Sequence, residues 1–379
     1  MGLLLVVTAG TLGVLTPAQR VSVAEPEAAD MQQRLRVANA TLFSDLLASG
    51  AGPQIGNQPS ALLYAFAPVL PFRHSQSGGA PPGTFTTDTM TAISVPANAA
   101  QTKLAADLSP GMVTLQVVAE SGCGAGVSVC HFTAGTTLLV YDDAGSFETF
   151  TLAAVDEASA VLQLASRPAA SSAITFRSGS AVVEAQARSY SLKRDPVTSI
   201  SQLMRSDGSG NADVPVVDHL VGLTFEYYGE PRAPAVVRPA SDPTGPWTTY
   251  GPKPPPLDIA RTAYPAGENC AFQVDSSGTT QVPRLADVGL DLALVKLTPE
   301  QLTDGPWCPD ATSGNRWDAD LLRVRAIVVT VRVEAALAAL RGPAGPLFSN
   351  GGLSRDASRW MPDVERQFTV SPRNLNLAR

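Results

Sequence analysis

The chain opens with an uninterrupted apolar run. Between Gly2 and Ala18 there is no charged residue, a length at the lower edge of what can span a bilayer. Beyond Arg20 the pattern changes period. Met31, Leu35, Ala38, Leu42 and Leu46 recur at spacings of three and four, which places them on one face of a helix. Pro26 suits a first helical position, with Glu25, Glu27 and Asp30 near the positive end of the helix dipole. Gly50 is a natural cap, and Gly52-Pro53 closes the helix. Residues 1–50 therefore predict a membrane or packing helix, apolar first and amphipathic second.

After residue 50 the helical period is lost. Residues 51–110 read as an irregular connecting region with an apolar island, PSALLYAFAPVLPF. Residues 111–195 hold short β-prone runs about ten residues apart, separated by turn residues, which predicts a small all-β module. Within it, 136–141 and 147–155 read as a hairpin. Residues 196–379 predict a second β domain with a Pro-rich loop at 230–265. VPVVDHLVGLTFEYYGEP reads as one long strand. ADLLRVRAIVVTVRVEAAL reads as another, with a bulge near Ala326 to reconcile two apolar parities. VERQFTVSPRNLNLAR reads as a last strand with a polar end. The expected fold class is α+β, a long N-terminal helix packed on an antiparallel sheet with an added all-β module.

Composition sharpens this picture. Charged residues make up only 16% of the 379, and Gly and Pro number 31 each, which suits a secreted or surface β protein with many turns. A net charge of −7 without a basic patch leaves no case for nucleic acid as a partner. Four cysteines, Cys123, Cys130, Cys270 and Cys308, allow three pairings. The favoured ones are Cys123–Cys130, across a Gly-rich loop, and Cys270–Cys308. Free thiols are the alternative. Zinc is less favoured, because the spacing is not CxxC-like and only His74, His131 and His219 are present.

Catalytic motifs are missing from the sequence. It contains no HExxH, no G-x-S-x-G elbow and no P-loop. Asp218 and His219 would point to opposite faces of a strand. The best candidates for chemistry are two oxygen-rich stretches. Asp304, Asp310, Asp318 and Asp320 form one, and Asp207, Asn211 and Asp213 the other. Such loops can hold Ca²⁺, though neither has EF-hand spacing, and solvated turns are the preferred reading.

PAQRV, EAADMQQRLRVA and DLLASGAGP at the front, with VVDHLVGLTFEYYGEP, LLRVRAIVVTVRV and FTVSPRNLNLAR at the back, carry a resemblance. Over residues 1–55 and 200–379 the chain resembles minor pilins and pseudopilins of the PilW and GspJ type. Arg373-Asn374 matches an ending of that family, and residues 111–195 look like an insertion. The resemblance implies a non-enzymatic subunit of a type IV pilus or a type II secretion pseudopilus, acting in filament initiation or tip assembly. It implies an inner-membrane anchor with a periplasmic domain, reaching the cell surface in a filament. Its partners would be other minor pilins or pseudopilins and the inner-membrane assembly platform. Some pseudopilins bind calcium, which is the reason Ca²⁺ enters as a candidate ligand. The family's basic leader and Phe-Thr-Leu-x-Glu are not in this sequence. That predicts a start set too far downstream or a degenerate member. The rival expectation is a secreted, disulfide-stapled β-rich binding protein with a signal peptide.

Overall fold

In the computed structural model, residues 2–52, 67–74, 79–80, 83–142, 147–165, 175–208, 212–232, 235–236, 272–274, 281–283, 285–286, 293–303, 307–308, 317–341 and 361–376 are described; for residues 2–23, 235–236, 272–274, 281–283, 285–286, 307–308, 317 and 339 the backbone alone is described. Helix α1 (Gly2–Leu47) comes first. Strands β1 (Val69–Leu70), β2 (Met90–Ser94), β3 (Gln101–Lys103), β4 (Thr114–Gln116), β5 (Thr137–Tyr141), β6 (Phe147–Asp156), β7 (Val161–Leu164) and β8 (Ala181–Glu184) follow. Next are β9 (Gln186–Arg194), β10 (Ser201–Ser206), β11 (Val214–Asp218) and β12 (Leu220–Gly229). Short strands β13 (Ala235–Val236), β14 (Phe272–Val274), β15 (Gln281–Pro283) and β16 (Leu285–Ala286) form two separate ladders. The chain ends with β17 (Val295–Leu297), β18 (Trp307–Cys308), β19 (Trp317–Asp318), β20 (Val324–Val333) and β21 (Val364–Val370).

The expected α+β class is corrected by this count of elements. The structure is mostly β, its sheets are antiparallel, and among the described residues the only α-helix is α1. The reason is that the 3.6-residue period occurs in one segment, whereas period-two runs recur through the described residues that follow it. Pro26 does not begin the helix either, because α1 runs through it. Among the residues whose side chains are described, which in α1 are residues 24–47, no helix is long and apolar enough to cross a membrane.

Two sheets and the helix enclose the main core. One sheet has the order β1-β2-β9-β10-β11, the other β17-β12-β20-β21. Met31, Leu35, Ala38, Leu42 and Leu46 are buried on α1, which lies against β11, β20 and β21. From the sheets come Ile93, Leu203, Phe225 and, at every second position of β20, Ile327, Val329, Val331 and Val333. That alternation is what a strand with one covered face requires. Burying each such side chain is worth roughly 1.5–3 kcal/mol.

The stretch read as one long strand is two. His219 adopts a left-handed backbone, φ 58°, between β11 in one sheet and β12 in the other. This turns the chain from sheet to sheet. The β20 bulge falls at Arg325, beside the expected Ala326. Tyr228 pairs with Ala326 and Gly229 with Val324, leaving one residue extra. At that crossing a Cβ on Gly229 would lie 2.2 Å from the Arg323 carbonyl oxygen, so no side chain fits there.

The third sheet, β3-β8-β5-β6-β7-β4, curls into a small barrel. Its two ends meet at a Leu104–Val117 bridge. Ala105 N–H donates to Gln116 O at 2.8 Å and Val118 N–H to Lys103 O at 2.8 Å. A second core fills the interior, with Leu138, Val140, Phe150, Leu152, Phe176 and Val182 among its members. This module differs from the expected 111–195. It takes in β3 from the region read as irregular, and β9 belongs to the other sheet. Both faces of β5 are covered: Leu138 and Val140 face the barrel interior, while Leu139 and Tyr141 join the main core.

Candidate functional site

Between β4 and β5 the chain leaves the barrel wall as a loop closed by a disulfide. Cys123 and Cys130 are bonded, with Cα atoms 5.7 Å apart. Gly122 and Gly126 have φ 97° and 79°, conformations that glycine adopts without steric cost. The loop is held at its base. Glu120 N–H donates to Ser128 O at 2.7 Å, and Ser128 N–H to Glu157 O at 2.7 Å. Val129 and Phe132 are buried in the barrel core. They point Cys130 and His131 the other way.

The Glu120 carboxylate gathers this loop. Its Oε2 accepts from Cys130 N–H at 2.7 Å and from His131 N–H at 3.2 Å. The same oxygen lies 3.3 Å from His131 Nδ1 and 3.7 Å from Cys123 Sγ. Cys130 Sγ is 3.3 Å from His131 Nδ1. Only 7% of the Glu120 side chain is exposed, against 62% for His131. An open cleft of about 530 Å³ adjoins them, lined also by Asn98, Gln101, Lys103 and Val118. It lies outside the barrel, at the seam where β3 meets the end of β4.

The acidic stretch is not a solvated turn where it is described. Asp318 and Asp320 are 1% and 3% exposed. Asp318 Oδ1 accepts from Asp320 N–H at 2.8 Å, capping the 3₁₀ turn Ala319–Arg323. Asp320 Oδ2 accepts from Arg323 Nη1 at 2.9 Å. Arg323 also donates to the carbonyls of Glu230 and Pro231. Arg325 Nε is 3.4 Å from Glu230 Oε1. The positive charge beside Asp320 is the Arg323 guanidinium. Asp304, Asp310 and Asn211 lie outside the described residues. Asp213 accepts two bonds of 2.8 Å from Arg73, and these hold its carboxyl below the usual range. Cys270 and the side chain of Cys308 also lie outside the described residues.

The helix face carries a second polar set that the apolar stripe does not show. Asp45 accepts from Tyr190 Oη and from Arg188 on β9. Burial, followed by the charge of Asp45, pushes the Tyr190 phenol well above its ordinary pKa. Glu27 accepts from the Ala336 amide. His219 is held below its ordinary pKa by burial and then by Arg34 and Arg341, while Glu334, 3.8 Å away, opposes them. At the other end of the helix the polar C-terminal residues close over it. Asn374 Nδ2 donates to Ser49 O at 3.4 Å, and Leu375 packs on Gly50. One signal for Asp45 was legible, a carboxylate lodged between Leu42 and Leu46 that needs a partner. Glu120 had none, because its partners are set by the path of the disulfide-closed loop rather than by a local period.

Compared with family models, curated proteins and solved structures, the chain matches none.

Proposed function

We propose that this chain is a non-enzymatic, minor-pilin-like subunit of a type IV pilus or a type II secretion pseudopilus. It acts in filament initiation or at the tip, beside other minor pilins and the inner-membrane assembly platform. The observation that carries this reading is the division of α1. Residues 24–47 bury a stripe on β11, β20 and β21, while the same helix continues through residues 2–23, about 33 Å at 1.5 Å per residue. The segment without charges would sit in the inner membrane and among neighbouring helices, and the β sheets would project into the periplasm. The Arg373–Asn376 turn supports the reading, since it latches the last strand onto the packed half of the helix.

A second reading draws on the barrel. A disulfide-closed loop beside an open cleft suits a secreted binding protein whose N-terminus is a signal peptide. Mass spectrometry of the native N-terminus, on membrane and sheared-surface fractions, separates the two. A methylated terminus in both fractions is the pilin result. A terminus beyond Ala18 on protein free in the medium would sink the filament reading and favour the other.

A further inference from the structure

We infer that the Cys123–Cys130 loop becomes a zinc site when its disulfide is reduced, with Cys123, Cys130, His131 and Glu120 as ligands. The ligand atoms of these four residues all lie within 4.8 Å of one another. A tetrahedral zinc with N, O and S ligands sets donor atoms about 3.3–3.8 Å apart. Glu120 Oε2 to His131 Nδ1 is 3.3 Å, His131 Nδ1 to Cys130 Sγ is 3.3 Å, and Glu120 Oε2 to Cys123 Sγ is 3.7 Å. Three edges of the tetrahedron are thus already in place. The edge that does not fit is the S–S bond itself, because two bonded sulfurs cannot both sit at tetrahedral positions around one metal. Opening it lets the sulfurs separate to the distance a metal needs.

The loop can make that small movement without leaving its place. Its base remains pinned by the Glu120–Ser128 and Ser128–Glu157 backbone bonds and by Val129 in the core. A Cβ added at Gly122, Gly124 or Gly126 would meet nothing within 4 Å, so the loop has open space to shift. Charge points the same way. Two thiolates beside a nearly buried carboxylate repel one another, and a divalent cation removes that repulsion. The set of two sulfurs, one imidazole and one carboxylate favours zinc over hard cations such as calcium.

The step balances as follows. A dithiol reductant supplies two electrons and two protons, opens the S–S bond and leaves as its own cyclic disulfide. Zn²⁺ then replaces the two thiol protons, which pass to solvent as two Zn–S bonds form.

The test titrates Zn²⁺ alone into the full chain, oxidised and reduced, against a chromogenic chelator. Co²⁺ serves as the spectroscopic probe. Reduction is expected to create one zinc equivalent and a thiolate-to-cobalt absorption band. Both are expected to vanish in C123S/C130S and to persist in C270S/C308S. His131 is largely exposed, so His131→Ala leaves folding intact, and it is expected to weaken zinc binding by at least about tenfold. Glu120→Gln is expected to do the same. Uptake independent of reduction overturns the proposal. So does an unchanged zinc equivalent in C123S/C130S, or an unchanged affinity in His131→Ala.

Discussion

The barrel fills its core from residues 100–182, whereas the body joins helix residues 31–46 to strand residues 327–370 and to Leu375. The barrel closes on itself through Leu104 and Val117, which leaves few strand edges unpaired. Its interior cluster is wholly apolar. The body instead buries Glu230, Asp318, Asp320, Arg323 and Arg325 where β12 crosses β20. A barrel of local strands needs little beyond alternation and turns. A body assembled from distant segments needs partners that specify which segment meets which, and buried charge supplies that at the cost of stability when one partner is lost. The two units still share a wall, since β5 contributes to both sides and β6 sends Phe147 to the body and Phe150 to the barrel.

The strongest break in this comparison is Gly229→Ala. The new Cβ collides with the Arg323 backbone, at a cost of about 3 kcal/mol or more. Thermal unfolding followed by circular dichroism is expected to lose the body's transition. Protection of the barrel amides from hydrogen exchange is expected to persist. Leu42→Ala empties a fully buried site on α1 and is expected to cost about 2–5 kcal/mol, read from a denaturant midpoint; an exposed-site value near zero would mean that the helix does not pack as described.

Removing the Cys123–Cys130 bond acts on the other unit. For so short a loop the loss is about 2–3 kcal/mol, and hydrogen exchange is expected to place it in the barrel while the body keeps its protection. The smallest effect tests the shared wall. The His74 ring lies tilted against Phe147, centroids 5.0 Å apart, and burial holds its pKa at about 4, below its ordinary 6.5. In that window the unfolded chain binds a proton that the folded chain refuses, so stability falls as pH drops from about 6.5 to about 4. The loss is at most about 2 kcal/mol once partial exposure is discounted. His74→Gln is expected to flatten stability over that window, and an unchanged slope would show that His74 does not titrate against the wall.

The hairpin of β5 and β6, the alternation of β20, the bulge beside Ala326 and the stripe of Met31, Leu35, Leu42 and Leu46 were all legible, because each follows from local period. The Cys123–Cys130 bond was legible too, since its loop is short and Gly-rich. Asp318 and Asp320 misled because their composition resembles a solvated turn, whereas both are buried. What changes their role is Arg323, three residues beyond Asp320, turned inward by the 3₁₀ turn.

By itself the sequence determined which residues face a core and where turns fall, because side-chain periodicity and glycine or proline chemistry act over a few bonds. It did not determine that His219 would pass the chain from one sheet to another, or that β3 would leave its neighbours to close a barrel. Nor did it determine that Glu120 would gather two sulfurs and an imidazole. The first two outcomes depend on contacts between residues far apart in the chain, and the third on the exact path of a loop closed by its disulfide. Their energies exist only once loops have closed and charges have lost their water, and only the tertiary structure decides that.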